Sequence, residues 1–251
     1  MAFTRKTLAF LRALKRNNDR EWFRARKADY EQHVRGPMID LVGRLAQDFR
    51  TLAPDLIADP KVSLYRIYRD TRFSEDKSPL KTHVAAHFPA RGFARGSGAG
   101  LYLEIAPSWV WVGGGIYMPG AADLRSIREH IAATHPRIER IVSARPFRSV
   151  MGQLSGERLT RVPRGFVSGH PAEHYLKFKQ FLAGREFEAE FALSRTFYSE
   201  LLRTFGATVP LVTFLNAGLA GRATASPLLL DHRPPRGRVR AIAADMTSGP
   251  F

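Results

Sequence analysis

Apolar residues recur at helical spacing in the first fifty residues of the chain and again beyond residue 120. Leu8, Leu11 and Leu14 fall on one stripe of a helix predicted over residues 4–16, for which Thr4 is a suitable N-cap. The same spacing predicts further helices over residues 19–35, 38–49, 123–134, 136–144, 171–182, 194–205 and 209–219.

Two boundary signals divide the N-terminal helices. Asp19 is a predicted N-cap, because its short carboxylate can accept hydrogen bonds from the first free amides of a helix. Gly36 and Pro37 predict a break or kink between residues 19–35 and 38–49, since proline has no N–H to donate within a helix.

Shorter apolar segments between the helices have the alternation and the β-branched and aromatic content of strands. Strands are predicted over residues 62–68, 81–88, 101–106, 109–112 and 185–191, and residues 149–163 are predicted to be extended. Pro107 and Ser108 predict a tight turn, so the strands on either side of them form a hairpin. Helices, then hairpin-connected strands, then helices predict an α+β fold with a mainly antiparallel sheet packed by N- and C-terminal helices.

The regular pattern ends near residue 220. Residues 1–220 are predicted to form a single α+β domain. Residues 221–251 contain five arginines, two aspartates and no lysine, together with Pro234 and Pro235. This composition predicts a basic C-terminal extension.

The net charge of the chain is +16. A charge of this size favours an anionic partner, either a small molecule or nucleic acid. An arginine-rich bacterial proteome explains the charge equally well. The basic residues are spread along the whole chain, which weakens the nucleic-acid interpretation.

The chain contains no cysteine, which excludes disulfides, thiol nucleophiles and zinc sites built on sulfur. No apolar run approaches the roughly 18 residues that a membrane span needs. The sequence therefore predicts a cytoplasmic protein with no membrane partner.

Charge and strand-forming residues are combined most densely in residues 62–88. Five cations occupy sixteen consecutive positions there, with three carboxylates among them. The cations are Arg66, Arg69, Arg72, Lys77 and Lys81, and the carboxylates are Asp70, Glu75 and Asp76.

Two interpretations of this segment remain open. Arginine offers forked donors that match phosphate and carboxylate oxygens. In an anion-binding pocket the three arginines contact the ligand, Lys77 and Lys81 add charge, and Asp70 orients the arginines. The alternative is a non-enzymatic interaction protein, in which the signature is an ion-pair network that braces a β-hairpin against the helices and binds no ligand.

The segment resembles the signature of a bacterial and fungal family of conserved hypothetical proteins, domain of unknown function 2461. The signature reads R-x-x-R-D-x-R-F-x-x-D/N-K-x-x-Y, and its residues here are Arg66, Arg69, Asp70, Arg72, Phe73, Asp76 and Lys77. Leu80 stands where the family has tyrosine, so a packing role of that position survives and any hydroxyl chemistry is lost. Similar segments elsewhere extend the resemblance over residues 3–220. The resemblance implies no established activity, substrate or cofactor.

Carboxylates near the signature make a phosphoester hydrolase the alternative function. Glu104 shares a face of its predicted strand with Tyr102, and that strand can neighbour the signature. Glu104, Asp70 or Asp76 can then act as an acid, a base or a metal ligand. A counter-ion for the arginines is the plainer role of Glu104.

The remaining candidates are isolated. Arg164 lies on a loop predicted at residues 163–166, where it either completes the pocket or leaves Phe166 to cap the core. His83 and His87 share a face of a predicted strand but have no evident third ligand, so no metal site is predicted. No cofactor is implied.

Overall fold

A computed structural model describes residues 3–72, 75–93 and 97–220. The chain divides into two compact units. The first unit contains the described residues up to Phe88, Tyr102–Val112 and Glu186–Leu202. The second contains Pro89–Leu101, Gly113–Arg185 and the described residues from Arg203 onward. Two packing units can belong to one folding domain, so the single domain over residues 1–220 stays a prediction. The predicted extension, residues 221–251, lies outside the described residues.

Helices flank the strands on both sides in the sequence. They are α1 (Arg5–Arg16), α2 (Arg20–Ala25), α3 (Lys27–Tyr30), α4 (Gly36–Leu52), α5 (Pro60–Ser63), α6 (Ala121–Ala133), α7 (His135–Ser143), α8 (Arg145–Met151), α9 (Glu173–Leu176) and α10 (Phe197–Ala217). Among the described residues, no helix is both long enough and apolar enough to cross a membrane.

The strands form one antiparallel sheet in the order β1-β2-β3-β4. They are β1 (Val84–Pro89), β2 (Gly100–Ile105), β3 (Trp109–Ile116) and β4 (Phe181–Glu188). The predicted hairpin is present, because the Ala106 amide donates to the Trp109 carbonyl at 2.8 Å across Pro107 and Ser108. The predicted α+β class with a mainly antiparallel sheet is confirmed.

The predicted apolar stripe of α1 faces the core of the first unit. Leu8 is 2% exposed, and Leu11 and Leu14 are fully buried. Burial of each such side chain stabilises the fold by about 1.5–3 kcal/mol. Asp19 caps α2 as predicted, with its carboxylate accepting from the Glu21 amide at 2.7 Å and the Trp22 amide at 3.0 Å.

The predicted interruption at Gly36 and Pro37 is a π-helical turn, Glu31–Arg35, that precedes α4. The Gly36 amide donates to the carbonyl of the first residue of this turn. Pro37 cannot donate to the His33 carbonyl four residues earlier. The Thr7 hydroxyl of α1 donates to that carbonyl instead, at 2.6 Å. This hydrogen bond therefore ties the π-helical turn to α1.

The strand predicted over residues 62–68 was wrong. Residues Pro60–Ser63 form the short helix α5, which Asp59 caps by accepting from the Lys61 amide. Proline in the first turn favours such a helix because its missing N–H has no partner there anyway. The rest of the segment is extended and meets its neighbour only at isolated bridges, Leu64 with Ala86 and Tyr68 with Leu80.

Three predictions in the second half also needed correction. The extended segment over residues 149–163 begins as helix α8, which ends at Gly152 with φ +73°. The helix over residues 171–182 is reduced to α9, because Phe181 already begins β4. The helices over residues 194–205 and 209–219 are one helix, α10, with Pro210 inside it.

Candidate functional site

The signature occupies an excursion of the first unit between α5 and β1. Besides the two bridges, the Arg69 amide donates to the Pro79 carbonyl at 2.9 Å and the Lys81 amide to the Ile67 carbonyl at 2.8 Å. The Asn18 side chain clamps the returning limb by bonding both the amide and the carbonyl of Leu80, at 3.0 and 2.9 Å. Leu80 itself is 1% exposed, so its side chain serves in packing. Phe73 of the signature lies outside the described residues.

Arg69 is held by Asp76 across this excursion. A guanidinium nitrogen of Arg69 donates to the Asp76 carboxylate. The hydrogen bonds from Ser78, and then the bond from Arg69, hold the pKa of Asp76 well below its usual range. The Arg69 side chain is 24% exposed and that of Asp76 is 59% exposed, so this pair lies at the protein surface.

Arg72 and Asp70 form a forked pair. The Arg72 Nε and Nη2 atoms donate to the two Asp70 oxygens at 3.1 and 2.9 Å. The Arg72 amide also donates to Asp70, at 3.1 Å. The predicted orienting role of Asp70 therefore has a geometric basis for Arg72. The Arg72 side chain remains 68% exposed.

The two lysines bond main-chain carbonyls. Lys77 is exposed, and its Nζ donates to the Thr71 carbonyl at 3.2 Å. Lys81 is only 5% exposed; its Nζ donates to the Arg66 carbonyl at 3.1 Å and lies 4.8 Å from the centre of the Tyr65 ring. Burying an ammonium group is unfavourable unless polar or aromatic partners surround it, and the carbonyl and the ring are such partners.

Glu104 is a buried carboxylate of the first unit. It lies on β2 and is 7% exposed. Tyr102, two residues earlier on the same face, donates its hydroxyl to Oε2 at 2.6 Å. The Nδ1 atom of His83 lies 3.0 Å from Oε1. Both carboxylate oxygens are therefore engaged.

The histidine links this buried carboxylate to the signature. Burial is the main cause that lowers the pKa of His83, and the charges of Lys81 and Arg69 lower it further, whereas Glu104 raises it. His83 therefore lies within the electrostatic reach of two signature cations and one carboxylate. The sequence favoured surface or hydrogen-bonding roles for His83 and His87 over a metal site, but it did not identify Glu104 as the partner of His83. Glu104 is a charged residue within an apolar strand, and a buried carboxylate needs a hydrogen-bond donor. This pattern is the sequence signal that could have indicated a partner such as His83.

Arg164 lies in the second unit, where its side chain is exposed on the loop that follows Pro163. Its part in a pocket stays a prediction. Among the residues that the structure describes, no group of three or more histidine and acidic side chains is arranged to hold a metal ion.

An open depression in the first unit was not signalled by the sequence. Its volume is about 620 Å³, and its lining contains no signature residue. The lining consists of Gly43, Arg44, Gln47, Asp48, Tyr198, Ser199 and Leu202. Within it the Arg44 guanidinium lies 3.5 Å from the centre of the Tyr198 ring, and the Tyr198 hydroxyl donates to Asp48.

The comparisons with known proteins agree with the resemblance seen in the signature. A family model described as "Conserved hypothetical protein (DUF2461)" matches residues 6–214. We found no significant match among curated proteins and none among solved structures. The match covers most of the chain and includes the signature excursion, Glu104 and Arg164. The chain therefore belongs to the DUF2461 family of conserved hypothetical proteins.

Proposed function

We propose that the signature excursion binds a phosphate-bearing or other anionic ligand through Arg66, Arg69, Arg72, Lys77 and Lys81. The observation that carries the proposal is that five cations lie within residues 66–81, and that Arg69 and Arg72 are each held in one orientation by a carboxylate while still reaching the surface. Ordered donors bind anions better than flexible ones, since less side-chain freedom is lost on binding.

The charge balance of the excursion supports this function. Five cations against three carboxylates leave a surplus of two positive charges. A phosphate group, with up to two negative charges, matches that surplus. Asp70 and Asp76 then act as orienting counter-ions rather than as ligands of the anion.

The surface ion pairs are weak enough for an anionic ligand to compete for their arginines. An exposed ion pair contributes only about 0–1 kcal/mol, because water screens it and because ordering two side chains is unfavourable. A charge-assisted bond from an arginine to a phosphate is stronger than a neutral hydrogen bond. A bound phosphate can therefore share Arg69 or Arg72 with the neighbouring aspartate.

The enzymatic alternative is favoured by one observation, the environment of Glu104. Asp76 is a weak base, since Ser78 and Arg69 lower its pKa, and Asp70 is engaged with Arg72. Glu104 instead contacts a histidine and a tyrosine, which can move protons. Of the three predicted catalytic carboxylates, Glu104 is therefore the one that we retain.

Thermal unfolding in the presence of inorganic phosphate tests the binding proposal. We expect phosphate to raise the midpoint, because a ligand that binds only the folded state at 100 times its Kd adds about 2.7 kcal/mol of stability. Arg69→Gln should lose most of that rise. Arg35→Gln is the matched control, since Arg35 is also a first-unit arginine in a surface ion pair, with Glu31 at 3.0 Å.

Two results contradict the proposal. One is a wild-type midpoint that phosphate does not move beyond the effect of equal ionic strength from chloride. The other is an equal rise in Arg69→Gln and Arg35→Gln. Repeating the titration with a single-stranded oligonucleotide separates a nucleic-acid site, whose affinity falls steeply with salt.

A further inference from the structure

We propose that His83, oriented by Glu104, is the proton acceptor of a hydrolytic site that acts on a phosphate ester bound at the signature excursion. The inference rests on the proposed function, since the signature cations have to hold the ester. It adds an activity and two residues, His83 as the catalytic base and Glu104 as its positioning residue.

The contacts of Glu104 fix the state of the imidazole. A carboxylate accepts hydrogen bonds and has no proton of its own to donate. Its Oε2 atom accepts from the Tyr102 hydroxyl at 2.6 Å, and its Oε1 atom lies 3.0 Å from His83 Nδ1. Nδ1 therefore carries the proton of the neutral ring. The lone pair lies on Nε2, as in other sites where a carboxylate orients a histidine base.

The second ring nitrogen of His83 has no hydrogen-bond partner within the described residues. The polar contact of this side chain there is that of Nδ1 with Glu104 Oε1, at 3.0 Å. The side chain is 22% exposed. The side chain of His83 is therefore partly accessible, and no hydrogen bond within the described residues occupies Nε2.

The groups around His83 keep it in the basic form. Glu104 and Tyr102 face it from β2, Lys81 precedes it on its own segment, and Arg69 acts on it from the excursion. Burial and the two cations outweigh Glu104 and lower the pKa of His83. A neutral imidazole at neutral pH can accept a proton, whereas an imidazolium cannot.

Lys81 and Arg69 act on His83 electrostatically, so a phosphoryl group that they bind lies near the base in the proposed site. Water gives a proton to His83 Nε2 as its oxygen forms a bond to phosphorus. The bond from phosphorus to the ester oxygen breaks, and the leaving oxygen takes a proton from solvent. The imidazolium then returns its proton to solvent, so that one ester and one water give one alcohol and one phosphate. Arginine and lysine stabilise the charge on the phosphoryl oxygens during this step.

Hydrolysis of p-nitrophenyl phosphate and bis(p-nitrophenyl) phosphate, the probes used, tests the proposal. We expect measurable turnover of at least one ester by the wild-type protein. His83→Gln should lower kcat by about 100-fold or more, the usual effect of losing a general base, with little change in KM. His33→Gln, a half-buried histidine of the first unit, should leave kcat unchanged.

The Glu104→Gln variant tests the positioning role through the pH profile. Removing the carboxylate removes the contribution that raises the pKa of His83, so the acid limb of kcat/KM should move to lower pH as kcat falls. A carboxylate that only stabilises the sheet would leave this limb in place. If the variant does not fold, nitrogen NMR of wild-type His83 replaces it, and a neutral ring protonated on Nε2 overturns the orientation.

The outcomes separate this inference from the binding proposal. Phosphate binding that depends on Arg69, without turnover of either ester, overturns the hydrolytic site and leaves the binding function. Turnover that His83→Gln retains overturns the role of His83. The absence of both phosphate binding and turnover overturns the two proposals together.

Discussion

Lys81 and Glu104 are the buried charged side chains of the first unit, within its described residues. Each is compensated by local groups, Lys81 by the Arg66 carbonyl and the Tyr65 ring, and Glu104 by His83 and Tyr102. Removing a partner from a buried charge costs about 1–3 kcal/mol or more. Such charges are therefore held at a fixed position, which suits them to a ligand site.

His83 also makes the stability of the protein depend on pH. Its folded pKa lies below the ordinary 6.5, so the unfolded chain takes up the proton first as the pH falls. The stability present above pH 6.5 is therefore lost as the pH falls through the folded pKa of His83. Burial lowers the pKa of His130 and His174 as well, with the same sign.

The melting midpoint should therefore fall as the pH is lowered from about 7 to about 5, and His83→Gln should make that fall shallower. His33→Gln serves as the control and should keep the wild-type slope. The measurement is a set of thermal melts across this range at constant ionic strength. An unchanged slope in His83→Gln would show that His83 is not held in its neutral form.

Close approach of backbone shapes the junction between β3 and β4. Gly115 has φ +127°, and a Cβ placed on it would lie 2.0 Å from the Phe181 carbonyl oxygen. Both the conformation and the contact exclude a side chain. Gly115 is thus needed for the packing of β3 against β4.

Gly115→Ala should destabilise the protein by more than about 2 kcal/mol, since strained backbone alone costs about 1–3 kcal/mol. Gly43→Ala is the matched control, because a Cβ there meets nothing within 4 Å on helix α4. It should stabilise the protein by about 0.5–1 kcal/mol. Urea unfolding of both variants measures the difference, and equal midpoints would contradict the account of Gly115.

The elements that sequence predicted best are those whose signals are local. The stripe of Leu8, Leu11 and Leu14 and the cap at Asp19 specify helices without reference to the rest of the chain. The division between the helices predicted over residues 194–205 and 209–219 was wrong, because α10 continues through this region with Pro210 inside it. The strand predicted over residues 62–68 was wrong because Asp59 and Pro60 start a helical turn that extends to Ser63.

The residues of the candidate site could be predicted from the sequence, but the long-range contacts between their side chains could not. The cations of the signature and the orienting aspartate follow from their spacing, and the Asp70–Arg72 fork is a contact over two residues. The contact of His83 with Glu104 joins residues far apart in the sequence, and it depends on how β1 and β2 align. The alignment of strands is set by the whole sheet, so a local sequence pattern does not predict it.

At the scale of the whole molecule, the net charge of +16 draws anions towards the protein without selecting among them. Selection has to come from donors at fixed positions, and the excursion between α5 and β1 supplies them. The proposed function therefore depends on the position at which an anion binds, because the net charge alone can attract anions to other parts of the surface.

Diffraction from crystals grown with tungstate, a tetrahedral oxyanion that stands in for phosphate, tests this most directly. We expect an anomalous peak from the tungsten atom. The tungstate oxygens should lie within about 3 Å of the side-chain nitrogens of at least two of Arg66, Arg69, Arg72 and Lys81. Tungstate bound only elsewhere, with none near Arg66, Arg69, Arg72 or Lys81, would contradict the proposed site.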